Sequence, residues 1–284
     1  MNGYSVGVVG AGVMGASLAQ ALVGRGFDTV LLDTDPAALR SAADAVAAAD
    51  RLTRLRRGAP QTPPGQLTYA SSTAALAGCR IVVENITEDP AAKEKVHREL
   101  DAVLAADTVV AVNTSAVPIS GLALATEHPE RVLGSHFMNP VALSEMVEVI
   151  RSPYTADWAL DRMHDLIGAL DKSAVVVGDV AGFVINRCLM MFVNEAAALL
   201  DDDVATPQQV DRLFRGCLGH RTGPLRTADV IGVDTIVRTL DVLAEHHGPD
   251  RFTPSARLRR MVADGHLGRK SGQGFYRYSD EEPA

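Results

Sequence analysis

Hydrophobic and polar positions change their rhythm partway along the chain. Up to about Gly178, short β-branched runs alternate with helical segments, the pattern of a parallel sheet covered by helices on both faces. Residues 6–9 and 29–32 read as the first two strands. Residues 80–83, 108–112, 131–137 and 146–150 follow, and 174–177 is the last. Residues 17–23 carry helical apolar spacing, and Asp89-Pro90 opens a further helix, because Asp caps free N–H groups and Pro is tolerated at the first helical position. From Gly182 to about Tyr278 only helical stretches appear, among them 186–200, 207–217 and 233–246. The expected fold class is therefore α/β and Rossmann-like over residues 1–180, followed by an all-α C-terminal domain over 181–284. No internal repeat is present, and residues 60–65, with Pro60, Pro63, Pro64 and Gly65, read as a loop inside the first domain.

Composition narrows the possibilities. The chain has 284 residues, 47% hydrophobic and 22% charged, enough to bury a substantial core in one or two soluble domains. Its 27 Lys+Arg against 35 Asp+Glu leave a net charge of −8, which argues against a nucleic-acid partner. Cys79, Cys188 and Cys217 are odd in number and form no CxxC pair, so neither a disulfide framework nor a zinc site is implied, and the reduced cytosol fits best. Two uncharged stretches, 1–24 and 108–126, do not read as membrane segments. The first has no basic flank and is interrupted by glycines; the second contains Asn113, Pro118 and several hydroxyl residues.

Candidate chemistry begins at Gly10-Ala-Gly12-Val13-Met14-Gly15, between a strand and a helix, with Asp33 at the end of the next strand, 18 residues beyond Gly15. The first two glycines allow a tight turn and close approach of a pyrophosphate to a helix N-terminus, and the third lets helix and strand pack closely. Asp33 would accept hydrogen bonds from ribose hydroxyls and repel a 2′-phosphate, so NAD is favoured over NADP. Ser115 follows the strand ending near Asn113, at the carboxyl edge where open α/β sheets bind ligands; on its own it reads equally as a cap for the helix after Pro118. A hairpin of 131–137 and 146–150 centred on residue 142 pairs His136 with Glu148. That arrangement suits a general base whose tautomer a carboxylate fixes. Asn186 begins the first helix of the second domain, and an ordinary helix-start asparagine explains it equally well. Glu88 and Lys93 flank a helix start and, from spacing alone, read as solvated charges. Arg51, Arg54, Arg56 and Arg57 form a local basic cluster, suited to phosphates or an acidic partner, or simply to a helix C-terminus. His246 and His247 are adjacent rather than a helical turn apart, which gives a metal site little weight.

With the segments GVVGAGVMG, NTSAVPIS, SHFMNPVALSEMVEVI, GDVAGFVINR, HRTGPLRTADVIGVDT and LGRKSGQGFY in that order, the chain resembles the 3-hydroxyacyl-CoA dehydrogenase family over essentially its full length. The resemblance implies that Ser115, His136, Glu148 and Asn186 occupy the active-site positions. It places Gly10, Gly12, Val13, Met14, Gly15, Asp33, Glu88, Lys93 and Asn113 at the NAD site. It further implies a homodimer joined through the helical domain, acting on a 3-hydroxyacyl thioester with His136 as base. The stretch 36–79 looks shorter than the family's helical arm that contacts coenzyme A. The forms HRTGPLRTADVIGVDTI and FMNP look like the branch that acts on acyl groups tethered to an acyl carrier protein, in making polyketide extender units. On that reading the substrate is a glyceryl thioester; the alternative is L-3-hydroxybutyryl-CoA. A 6-phosphogluconate-type enzyme would place a lysine where Asn186 stands, and an inactive dinucleotide-binding protein would have no need of the Ser115, His136, Glu148 and Asn186 set.

Overall fold

The structure is a computed structural model describing residues 3–57 and 63–278, with residues 52–57 as backbone only. Two compact units divide the chain, Met1–Asp179 and Val180–Ala284. In the first, the strands are β1 Ser5–Val9, β2 Thr29–Leu32, β3 Leu67–Ala70, β4 Cys79–Glu84, β5 Val109–Val112, β6 Val132–His136, β7 Met146–Arg151 and β8 Ser173–Gly178. They form one sheet in the order β3-β2-β1-β4-β5-β6-β7-β8. Only the β6–β7 pairing is antiparallel. The chain moves outward from β1 in one direction and resumes at β4 in the other, so the carboxyl ends of β1 and β4 make the crevice at which such sheets take their ligands.

The central strands are apolar on both faces, as burial under two helical layers requires. Val6, Val8, Ile81, Val83, Val109 and Ala111 are essentially inaccessible. Helices α1 Val13–Gly24, α2 Pro36–Arg57, α3 Pro90–Asp101, α4 Ile119–Ala123 and α5 Asp157–Ala169 complete the unit. Asp89 caps α3 through the Ala92 N–H at 2.7 Å, with Pro90 at the first helical position, as its sequence predicts. The 36–79 stretch contains a 22-residue helix, α2, and a strand, β3, that periodicity does not reveal. The basic cluster lies in the last turns of α2, where Arg51 is exposed. The side chains of Arg54, Arg56 and Arg57, and Pro60 of the 60–65 loop, fall outside the described residues.

The second unit contains α6 Ile185–Ala198, α7 Pro207–Leu218, α8 Pro224–Ile231, α9 Val233–His247, α10 Pro249–Phe252 and α11 Ala256–Ala263. Leu225, Ile236, Leu240, Leu243, Phe252 and Leu258 form the centre of its core. Two buried carboxylates hold its C-terminal segment. Asp211 accepts the Leu225 and Arg226 N–H groups and the Tyr276 hydroxyl, while Asp229 accepts the Phe275 and Tyr276 N–H groups and the Tyr278 hydroxyl. Burial pushes the Asp229 carboxyl upward, against the pull of those donors. His246 and His247 place ring nitrogens 2.9 Å from the Val242 and Ala181 carbonyls. The three cysteines are free, and burial pushes the Cys79 thiol up to about 11. Among the described residues no helix is long and apolar enough to cross a membrane.

The glycine turn separates two roles that substitution can distinguish. A Cβ on Gly15 would lie 1.8 Å from the Gly10 carbonyl oxygen, backbone against backbone, whereas one on Gly12 would meet nothing within 4 Å. Gly15→Ala should lower stability by about 1–3 kcal/mol or more, as overpacking does. Gly12→Ala should leave the melting temperature unchanged while weakening NAD binding. Thermal melts of both variants, with and without NAD, check the pair.

Candidate active site

The turn after β1 is built to receive an anion. Gly12 caps α1 with no side chain, the first turn carries no acidic residue, and Val13 is 73% exposed. The leading N–H groups of α1 therefore have no side-chain acceptor at the cap, and the positive end of the helix faces open space. Gly10 has φ +94°, and a Cβ there would strike the Asn85 carbonyl oxygen at 2.7 Å, so the turn demands glycine. Asp33 braces this loop from the end of β2: the Ala11 N–H donates to Oδ2 at 2.7 Å and the Asp35 N–H to Oδ1 at 2.9 Å. Each carboxylate oxygen keeps a second lone pair for ribose hydroxyls. The donor set thus fits a dinucleotide.

Along the same carboxyl edge, β4, β5 and β6 are tied together just past their ends. The Asn113 amide donates to Asn85 Oδ1 at 2.7 Å, and its oxygen accepts the Phe137 N–H at 3.1 Å. Asn113 is thus a brace between three strand ends. Lys93 is not the solvated charge its spacing predicts, whereas Glu88 is exposed but tied into the same network. The Lys93 side chain is fully buried, because β4 runs one residue past its expected end and buries Glu84 beside it. Lys93 Nζ donates to Glu84 Oε1 at 2.9 Å and Oε2 at 3.1 Å, and Glu88 Oε2 lies 3.5 Å away. A lysine without water needs such partners. His97, one turn further along α3, sets Nε2 3.6 Å from Glu84 Oε2. Burial opposes the Glu84 charge, but His97 and Lys93 together hold the carboxyl below its usual range. Glu84, Asn85 and His97 are contributors that sequence reasoning missed. A charged residue closing an apolar strand, nine positions before a lysine on a capped helix, is the signal that could have found Glu84.

Glu88 carries this network to Ser115, accepting the Thr114 hydroxyl at 2.8 Å and the Ser115 N–H. Ser115 does not cap the following helix: Pro118 stands at that position, and the first N–H groups of α4 go to Asp179 instead. Its hydroxyl oxygen lies 3.5 Å from His136 Nε2. Across the antiparallel β6–β7 ladder, His136 is directly opposite Glu148, the pairing that a centre at residue 142 predicts. His136 Nδ1 and Glu148 Oε2 are 3.0 Å apart, with both side chains almost wholly buried. A carboxylate can only accept, so the proton of the neutral imidazole sits on Nδ1 and the Nε2 lone pair is turned toward Ser115. Asn186 belongs to the second unit, in the first turn of α6.

An anion-ready glycine turn and an oriented imidazole on one sheet edge define an NAD-linked alcohol dehydrogenase. Two family descriptions match the chain, "3-hydroxyacyl-CoA dehydrogenase, NAD binding domain" over residues 5–180 and "3-hydroxyacyl-CoA dehydrogenase, C-terminal domain" over 182–278. A probable 3-hydroxybutyryl-CoA dehydrogenase of Deinococcus radiodurans is 37% identical over 279 residues, covering 96% of this chain and 99% of that protein. The human mitochondrial hydroxyacyl-coenzyme A dehydrogenase is 32% identical over 284 residues, 96% of this chain and 90% of its own. Among solved structures, (S)-3-hydroxybutyryl-CoA dehydrogenase from Ralstonia eutropha superposes with a TM-score of 0.90 at 34% identity, covering 97% of this chain and 99% of that one. The chain belongs to the 3-hydroxyacyl-CoA dehydrogenase family. It is an NAD-dependent oxidoreductase acting on a CH–OH group.

The Glu84–Lys93 pair yields a prediction with a definite sign. A carboxyl held below its unfolded value, about 4.3 for glutamate, adds stability that is complete above that value and is lost as pH falls through the folded one. Glu84→Gln leaves the buried Lys93 with the more distant, exposed Glu88 as its nearest carboxylate, so near neutral pH it should cost up to about 3–5 kcal/mol. The difference in melting temperature from the parent chain should be constant above about pH 5 and shrink below about pH 4. A pH series of thermal melts measures it, and a difference that grows on acidification contradicts the pairing.

Proposed function

We propose that the protein oxidises the 3-hydroxyl of a short 3-hydroxyacyl thioester to a 3-oxo group, with His136 as general base. The contact between His136 Nδ1 and Glu148 Oε2, at 3.0 Å and buried, carries this reading. His136 Nε2 takes the hydroxyl proton, and the Glu148 carboxylate stabilises the imidazolium that forms. Ser115 and Asn186 hydrogen-bond the oxygens of the reacting acyl group. NAD, when bound, supplies the hydride acceptor. The glycine turn holds the pyrophosphate at the α1 N-terminus, and Asp33 takes the adenine ribose and rejects a 2′-phosphate. Glu88, Lys93 and Asn113 keep the crevice in shape around it.

The favoured substrate is a coenzyme A thioester such as 3-hydroxybutyryl-CoA, which the relatives' names support. A second reading, a glyceryl group on an acyl carrier protein, is supported by the segments HRTGPLRTADVIGVDTI and FMNP; the arginines at the end of α2 suit the phosphates of either carrier. Exposed Val184, Ile185, Leu213, Leu218 and Val230 on the helical unit are consistent with a homodimer formed there, acting in the reduced cytosol.

Two measurements test the proposal. His136→Ala should lower kcat by roughly two to four orders of magnitude with NAD affinity nearly intact, the usual contribution of acid–base catalysis, and Glu148→Gln should be similarly damaging. An active His136→Ala enzyme refutes the assignment. NADH formation should be faster with 3-hydroxybutyryl-CoA than with a glyceryl-loaded carrier protein; the reverse order selects the second reading, and no turnover of either removes both.

A further inference from the structure

Asp179 is the last residue of the first unit, directly after β8, and its carboxylate crosses the fold to a helix 60 positions earlier. The Ile119 N–H donates to Oδ1 at 2.8 Å and the Ser120 N–H to Oδ2 at 2.7 Å. Both oxygens are thereby committed to the first turn of α4, a helix with no local side-chain cap. The segment immediately before α4 is Thr114–Pro118, which carries Ser115. Within it the Thr114 hydroxyl oxygen accepts the Val117 N–H at 3.0 Å, so the loop is stitched internally and then fastened at its far end by Asp179.

One carboxylate therefore fastens the far end of the loop that bears Ser115, within the first unit.

We infer that Asp179 is a positioning residue for the acyl group, acting through the Ser115 loop rather than touching substrate. This inference rests on the reading of Ser115 as an acyl-contacting residue. A charge-assisted pair of hydrogen bonds at a helix start is stronger than the neutral pair any amide could offer, and an asparagine must turn its NH2 toward one of the two N–H groups. The effect should fall on acyl turnover and spare cofactor binding, because the glycine turn and Asp33 lie on β1 and β2, away from α4, and Glu88 holds the start of the loop through Thr114 and the Ser115 N–H whatever stands at position 179.

The experiment uses the full chain with NAD and 3-hydroxybutyryl-CoA, comparing Asp179→Asn, Ser115→Ala and the double variant. Asp179→Asn should lower kcat/KM for the thioester by about tenfold or more, the scale of one charge-assisted hydrogen bond, with the Kd for NAD changed less than about twofold. The double variant should be little worse than Ser115→Ala alone, since coupled residues do not add. Asp179→Ser, which keeps one acceptor and opposes no N–H, should fall between the parent and Asp179→Asn, and serves if the amide variant folds poorly. Unchanged turnover in Asp179→Asn, beside an impaired Ser115→Ala, overturns the inference alone. Equal losses of NAD affinity and turnover overturn it in favour of a purely structural carboxylate. Full activity in Ser115→Ala overturns the reading of Ser115 and, with it, the route by which Asp179 acts.

Discussion

In a sheet that is otherwise parallel, one antiparallel pairing allows an imidazole and a carboxylate from neighbouring strands to face each other at a fixed register. β6 runs parallel to β5, so His136 emerges at the carboxyl edge beside the ends of β1, β4 and β5. β7 runs back alongside it, and Glu148, central in that strand, is opposite His136. Burial of both groups makes the contact strong and makes the unpaired state costly, so each holds the other in place. A slip of one residue would turn Glu148 to the other face of the sheet and leave the imidazole without its orienting acceptor.

A polar seam runs along the same edge. Asn113 joins three strand ends, and Lys93 gathers Glu84 and Glu88, which in turn reaches Thr114 and Ser115. Few of these groups need to touch a ligand to matter. Glu84, Lys93 and Thr114 are buried and partnered within the seam, and a network of that kind fixes loops that would otherwise move. The cofactor turn on β1 and the base on β6 are thus held to one rigid frame, as preorganised chemistry requires.

The parts of this frame that could be read in the sequence are those set by local chain geometry. The glycine turn, the Asp89-Pro90 helix start and the His136–Glu148 pairing each depend on residues close along the chain, and a hairpin's register follows from its centre. β3 escaped because it is an outer strand of four residues whose middle positions, Thr68 and Tyr69, face solvent, leaving no alternation to detect. Lys93 reads as a solvated charge from its spacing because its burial depends on Glu84, and Glu84 lies inside only if the strand extends one residue further. Asp179 and α4 are 60 positions apart, and no pattern in either segment points to the other. Parallel sheets conceal such contacts, since strands joined by long crossovers bring distant residues together with no local trace.

General-base action at His136 depends most on which of its nitrogens carries the proton. Nitrogen-15 NMR of the histidine-labelled protein, with His136 in its neutral form, reports this directly. The Nδ1–Glu148 contact requires a proton on Nδ1 and a free lone pair on Nε2, with that preference lost in Glu148→Gln. A neutral His136 protonated on Nε2 in the parent chain, or one whose tautomer is indifferent to Glu148→Gln, would contradict it.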